Sequence, residues 1–337
     1  MNLDVDIGRD AAYFDLGEWR DLLGRDPERH IFATPEWSRA WWEEFPKNKD
    51  LLVLTLRRDG ESFAIAPLYR KNDPGRQILR FVGGLELTDY LGPICSPEDR
   101  DQAAAGLIDW LLSTDEEWDT FDAHNLPVPL GFADQLVDHA DRSRLNFSIE
   151  QEEITGILEL PPSWDAYLTA LEGKERHELR RKLRRLEREA SDAAFRSATE
   201  DSLAHDLKIF FAMHRGTEGH KGHFMRPEIA TFFTRVAEAF MPHGRLRLDF
   251  LELAGRPVAA TFGLRYEDTF YLYNSAYEPD LARLSPGLVL VAHLVQDAID
   301  AGVKKFDFLR GPERYKFELG ATPVPLHNVR IANPRAR

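Results

Sequence analysis

One cysteine, Cys95, stands in a chain of 337 residues. A single thiol excludes an intramolecular disulfide and any zinc site built on several cysteines. Its ordinary place is a small buried apolar position. Long apolar runs are missing as well, and none approaches the roughly 20 residues that cross a bilayer. Positive charge is in deficit: 43 Lys and Arg face 57 Asp and Glu, for a net charge of −14. That balance argues against general nucleic-acid binding, which normally carries a basic footprint. The segment Met1-Asn-Leu-Asp-Val-Asp6 lacks the basic and apolar blocks of a secretory leader, so the expected location is the cytoplasm.

The residues that are present describe a folded protein. Hydrophobic residues make up 43% and aromatics 11%, a composition that buries a core instead of remaining disordered. The length suits two domains of ordinary size.

Two segments follow one plan. Leu51–Gly60 followed by Glu61–Leu68, and Leu246–Gly255 followed by Arg256–Leu264, each predict a strand, a tight turn at Asp59-Gly60 or Ala254-Gly255, and a second strand. An amphipathic helix is expected downstream of each, over 101–113 and 287–301. Short strands carrying Phe121-Asp122 and Phe306-Asp307 come next. The repetition predicts a duplicated α/β (α+β) unit, with domains at 1–150 and 151–337. Asn146–Glu150 is expected to end the first unit and Ile154–Leu160 to open the second. Further helices are expected over 15–24 and 35–45, with Thr34 as N-cap and Pro35 in the first turn. A helical insertion over 163–190, 202–217 and 226–241 sets the second unit apart.

Several clusters could carry chemistry. Leu179, Leu183, Leu186 and Ala190 recur at helical spacing, and Lys174, Arg181, Arg184, Arg185 and Arg188 lie opposite them. That basic face is either solvated and paired with neighbouring glutamates or a dock for phosphates. Ser285-Pro286-Gly287 opens an apolar helix whose free N–H groups favour an anion; an ordinary turn-to-helix junction has the same sequence. His220 and His223 lack acidic or thiol neighbours, so a substrate-facing loop is expected there and no metal. Asp307, Glu313, Tyr315 and Lys316 follow one strand. They could supply proton transfer, or Asp307 could cap a turn while Lys316 pairs with Glu313.

In order along the chain, Pro35–Trp42, Ala66–Arg70, Leu87–Pro93, Lys174–Arg185, Gly255–Ala260, Arg283–Gly287 and Phe306–Lys316 resemble the GNAT acyltransferase superfamily. The resemblance is nearer to the CelD/BcsL-type acetyltransferases associated with cellulose and exopolysaccharide biosynthesis, relatives of the Fem peptidyltransferases. It implies two tandem GNAT-like folds, each a twisted mixed sheet flanked by helices, and transfer from acetyl-CoA or another acyl-CoA as co-substrate. In the family's pyrophosphate loop, Arg/Gln-x-x-Gly-x-Gly/Ala, Arg283 matches the first position, Pro286 replaces the first glycine, and Gly287 follows one place late. Arg283, Ser285, Gly287 and Leu288 are therefore the expected cofactor residues. The first unit has no such loop and is expected to be non-catalytic.

Asp307 or Glu313 is the expected base, and Tyr315 or Tyr273 the expected acid. Lys174, Arg181, Arg185, His220, His223, Asn274 and Lys316 are the expected contacts to an acceptor, a small amine or a glycan hydroxyl. Two rival readings stay open. One is Fem-like aminoacyl transfer from charged tRNA through the Lys174–Arg188 helix. The other is a non-catalytic scaffold that binds a glycan or protein through Trp41, Trp42 and the 220–223 loop.

Overall fold

The computed structural model describes residues 3–216 and 224–336, and His220 and His223 lie outside them. Two compact units divide the chain: Met1–Ile154 with Val324–Arg337, and Thr155–Pro323.

In the first unit, strand β1 (Leu3–Gly8), β2 (Lys49–Arg58), β3 (Glu61–Asp73), β4 (Arg76–Phe81), β6 (Thr120–Pro127) and β13 (Thr322–Ala332) lie side by side in that order, and the short β5 (Ile94–Cys95) pairs with β3. The β2–β3 turn places Asp59 and Gly60 at φ +50° and +88°, the left-handed pair that a two-residue hairpin demands. Among the described residues of this unit only β4 and β6 run parallel, at Ile78–Thr120 and Leu79–Phe121. Helix α3 (Arg100–Ser113) and α4 (Phe132–Arg142) cover one sheet face, burying Ala103, Leu107, Leu111, Phe132 and Leu136 with Leu54, Leu68, Phe121 and Val329. Cys95 is buried in this core, and burial pushes its thiol up to about 12.

Helix α1 (Gly17–Arg25) and α2 (Pro35–Glu44) belong to the same unit. Thr34 caps α2 by accepting from the Trp37 N–H. Trp37 and Trp41 are core residues at 0% and 4% exposure, with the Trp37 indole donating to Thr88. A recognition surface that uses Trp41 is thereby excluded.

The second unit repeats the plan in the order β7 (Phe147–Glu159, of which 155–159 belong to this unit), β12 (Lys305–Arg310), β11 (Thr269–Tyr277), β10 (Arg256–Tyr266), β9 (Leu246–Leu253), β8 (Ala194–Ser197). A parallel pairing again joins the strands that flank the long helix, here β11 and β12. Helix α5 (Trp164–Ala170), α6 (Gly173–Glu189) and α9 (Pro286–Asp300) share an apolar face with Leu158, Leu272 and Phe306. Rings from α7 (Leu203–Arg215) and α8 (Pro227–Phe240) pack against Phe262 and Tyr273. The short α10 (Arg314–Glu318) follows β12.

Three differences from the sequence expectation have physical causes. The stretches expected over 146–150 and 154–160 join in one strand, β7, because the three residues between them include no Gly or Pro to break it. The helix expected over 163–190 breaks at Leu171–Glu172, where Leu171 is extended and its N–H is bonded back to Tyr167. The C-terminal segment belongs to the first unit, since β13 pairs antiparallel with β6 from Leu326–Pro127 to Ala332–Thr120.

Candidate active site in the second unit

β11 and β12 are paired at Thr269–Lys305, Phe270–Phe306 and Tyr271–Asp307. Beyond Tyr271 and Asp307 the two strands carry no further pair among the described residues, although β11 continues to Tyr277 and β12 to Arg310. Two irregularities accompany this parting. Tyr273 is the additional residue of a bulge, since Phe262 opposes Asn274 while Gly263 opposes Leu272. On β12 the register to β7 shifts between Asp307 and Arg310, and Leu309 sits at φ +60° while 2% exposed. A buried leucine in left-handed backbone is strained and persists only where its surroundings enforce it.

Two side chains enforce it. Asp307 accepts the Leu309 N–H at 2.8 Å. The Lys316 ammonium donates to the carbonyls of Leu309 (2.9 Å), Arg310 (2.6 Å) and Gly311 (3.2 Å) and pairs with Glu313 at 2.9 Å. With its side chain 3% exposed, Lys316 holds the end of β12 together and has no donor left for an acceptor molecule. Tyr315 packs edge-on against Phe308, and burial together with the Glu313 charge raises its phenol above the usual range. Asp307, Glu313, Tyr315 and Lys316 thus meet around one strand end, but Glu313 and Lys316 are engaged with each other.

β11 leads through a turn into α9, so α9 begins at the end where the strands part. Ser285 adopts φ +54°, and its N–H is bonded to the Ala282 carbonyl at 2.9 Å. Pro286 fills the first helical position and has no N–H, whereas those of Gly287 and Leu288 have no acceptor within the helix. The first turn of α9 carries no acidic residue. A Cβ at Gly287 would stand 3.2 Å from the Tyr277 ring, which lies across the helix start and is 40% exposed. The start of α3 differs: Glu98, Asp99 and Asp101 surround it, and Asp99 accepts from Arg58 at 2.6 Å.

Helix α6 lies beside the α9 start. Arg185 donates to the Arg283 carbonyl at 2.9 Å, and the Arg283 side chain pairs with Glu189. Leu288 shares a groove with Lys174, Glu178 and Lys182 of α6 and Glu318 of α10. Arg181 is tied to Glu178 through two hydrogen bonds, which hold that carboxyl down to about 2. Of the basic residues expected to reach an acceptor, Lys174 therefore faces the groove while Arg181 and Arg185 are bonded within the unit.

Asn274 lies on the other side of the bulge, where its Oδ1 contacts the His214 ring nitrogen Nε2 at 2.9 Å. Sequence reasoning missed His214: it is an ordinary position in a helical pattern, and only the fold places it against Asn274. Arg247 was missed for the same reason; it bridges Asp249 (3.1 Å) and Asp297 of α9 (2.7 Å) and so fastens that helix to the sheet.

Both units therefore have the GNAT-like arrangement: an antiparallel hairpin extended by a third strand, a helix, and a strand returning parallel beside the third. Residues 173–317 match the family model described as "Acetyltransferase (GNAT) domain". The fold is similar to the crystal structure of FemX at 12% identity, with 99% of this chain and 98% of that chain covered and a TM-score of 0.68. It is also similar to a tandem GNAT protein from the clavulanic acid biosynthesis pathway (12% identity, 98% and 99% covered, TM-score 0.54). A third similar structure is the C-terminal domain of a protein assigned as lysylphosphatidylglycerol synthetase from Agrobacterium fabrum (12%, 96% and 92%, TM-score 0.60). At this identity the similarity concerns the fold. No curated protein matches the sequence. No helix among the described residues is long and apolar enough to cross a membrane.

Proposed function

We propose that the protein is an acyl-CoA-dependent acyltransferase that moves an acetyl group to an amine or a sugar hydroxyl. The second unit would be catalytic and the first non-catalytic. One observation carries this reading: β11 and β12 part after Tyr271 and Asp307 at the end where an acid-free helix start lies. A thioester could enter between the strands while the N–H groups of Gly287 and Leu288 face its phosphates. The acidic α3 start gives the first unit no comparable anion site.

In the proposed reaction the acceptor nucleophile attacks the thioester carbonyl, the carbon–sulfur bond breaks, and the proton lost by the acceptor ends on the thiolate. Asp307 or Glu313 would take that proton and Tyr315 or Tyr273 would return one. Holding the two reactants in register would supply the larger share of the rate, up to roughly 7–11 kcal/mol. The CelD/BcsL-type resemblance points to a polysaccharide or cell-envelope acceptor, and an acyl-CoA donor to a cytoplasmic location. Isothermal titration with acetyl-CoA tests the proposal, and an absence of binding up to millimolar ligand would remove it.

A second reading, aminoacyl transfer from charged tRNA, is favoured by exposed arginines on α6. Salt-sensitive retention of charged tRNA would support it.

A further inference from the structure

Helix α6 concentrates positive charge in a protein of net charge −14. Leu179 and Leu186 are buried, whereas Arg180, Arg184 and Arg188 follow at intervals of four along the exposed side. Arg188 is paired with Glu189. The Arg180 guanidinium makes no ion pair among the described residues, and Arg184 makes none beyond an Nε hydrogen bond to the Arg180 carbonyl at 3.2 Å. Unpaired guanidinium groups on one helix face are available to an external anion. Through Arg185 and the Arg283 carbonyl, this helix is joined to the α9 start.

That start offers an anion the N–H groups of Gly287 and Leu288, since Pro286 has no N–H and the Ser285 N–H is bonded to Ala282. A donor that joins a phosphate-bearing arm to a large acidic body would use both features at once. We propose that α6 docks an acidic carrier protein whose phosphopantetheine arm delivers the acyl thioester to the second unit. The proposal rests on the acyltransferase reading above. The carrier's carbon–sulfur bond breaks, a carbon–nitrogen or carbon–oxygen bond to the acceptor forms, and the acceptor's proton leaves the carrier with a free thiol.

Other polyanions fit less well. Glu187 borders the stripe, and α6 contains no Phe, Tyr or Trp on which a base could stack. A membrane surface would need apolar anchors beside the charges, and the leucines of α6 face inward. An acidic helix carrying its own interspersed cations complements such a mixed face.

The test compares acetylated acyl carrier protein, acetyl-CoA and bulk tRNA as ligands of the wild type and the double variant Arg180→Glu/Arg184→Glu, with circular dichroism verifying the fold. The wild type is expected to bind the carrier with an affinity that falls steeply as salt rises. The double variant should lower transfer from the carrier by about tenfold or more and leave transfer from acetyl-CoA unchanged. Transfer from acetyl-CoA without carrier binding, equal losses with both donors, or retention of tRNA in preference to the carrier would overturn the proposal. Carrier binding without transfer from either donor would sustain the docking surface and refute the acyltransferase reading.

Discussion

Tyr271 and Asp307 face each other as the last paired residues of β11 and β12, and the bulge at Tyr273 and the Lys316 cluster lie beyond them. Burial, with the Asp307 charge added to it, raises the Tyr271 phenol well above its ordinary range. Past this pair, Tyr273 bulges from one strand and Leu309 turns left-handed on the other.

Replacing Gly287 by Trp should block the helix start while leaving the core alone. The site is only partly buried and its nearest neighbour is the exposed Tyr277 ring. Acetyl-CoA affinity is expected to fall by at least about tenfold, roughly 1.4 kcal/mol, with little change in Tm. Titration calorimetry and thermal unfolding of the same preparation check both halves.

Lys316→Met removes the ammonium that three carbonyls and Glu313 share. The volume is retained but the buried acceptors lose their donor, and a loss of about 3 kcal/mol in stability is expected. Glu313→Gln should cost far less, because that side chain is 48% exposed. Urea unfolding of the two variants distinguishes a structural lysine from one that serves an acceptor molecule.

At Leu309 two effects compete. Glycine would relieve left-handed strain of about 1–2 kcal/mol, whereas deleting a leucine at 2% exposure removes roughly 3 kcal/mol or more. Glycine also adds disorder to the unfolded chain. Packing wins, so Leu309→Gly should destabilise by about 2 kcal/mol, measured by chemical denaturation.

In the first unit His124 lies 2.8 Å from Asp122 and 2.6 Å from Glu152. Burial alone would lower its pKa, but the hydrogen bonds and charges of the two carboxylates outweigh it and the value is raised from 6.5. A raised pKa means that the folded state holds the proton more tightly than the unfolded chain. The resulting stability is fully present below pH about 6.5 and fades as pH climbs through the folded value. Unfolding free energy measured from pH 5.5 to 8.5 should therefore decline more for wild type than for His124→Gln.

Local signals were legible in the sequence. Asp59-Gly60 and Ala254-Gly255 marked hairpins that form there, and Thr34-Pro35 marked the start of α2. The third strand of each unit escaped notice because β4 and β11 follow the hairpins through short turns that resemble loops. Long-range facts were hidden for a different reason. Nothing local says that the alternating segment 322–332 pairs with β6, or that Lys316 is folded inward onto carbonyls. The candidate site was legible as a cluster after one strand, but its division into bound and available groups depends on distances that spacing cannot supply.

The pairing of β13 with β6 has a consequence for biosynthesis. The ribosome releases most of the N-terminal half early, yet its sheet lacks a strand until residues 322–332 emerge. The portion made first is the last to be finished, and a nascent chain cut short near residue 320 should leave the β6 edge open to chaperones or to aggregation.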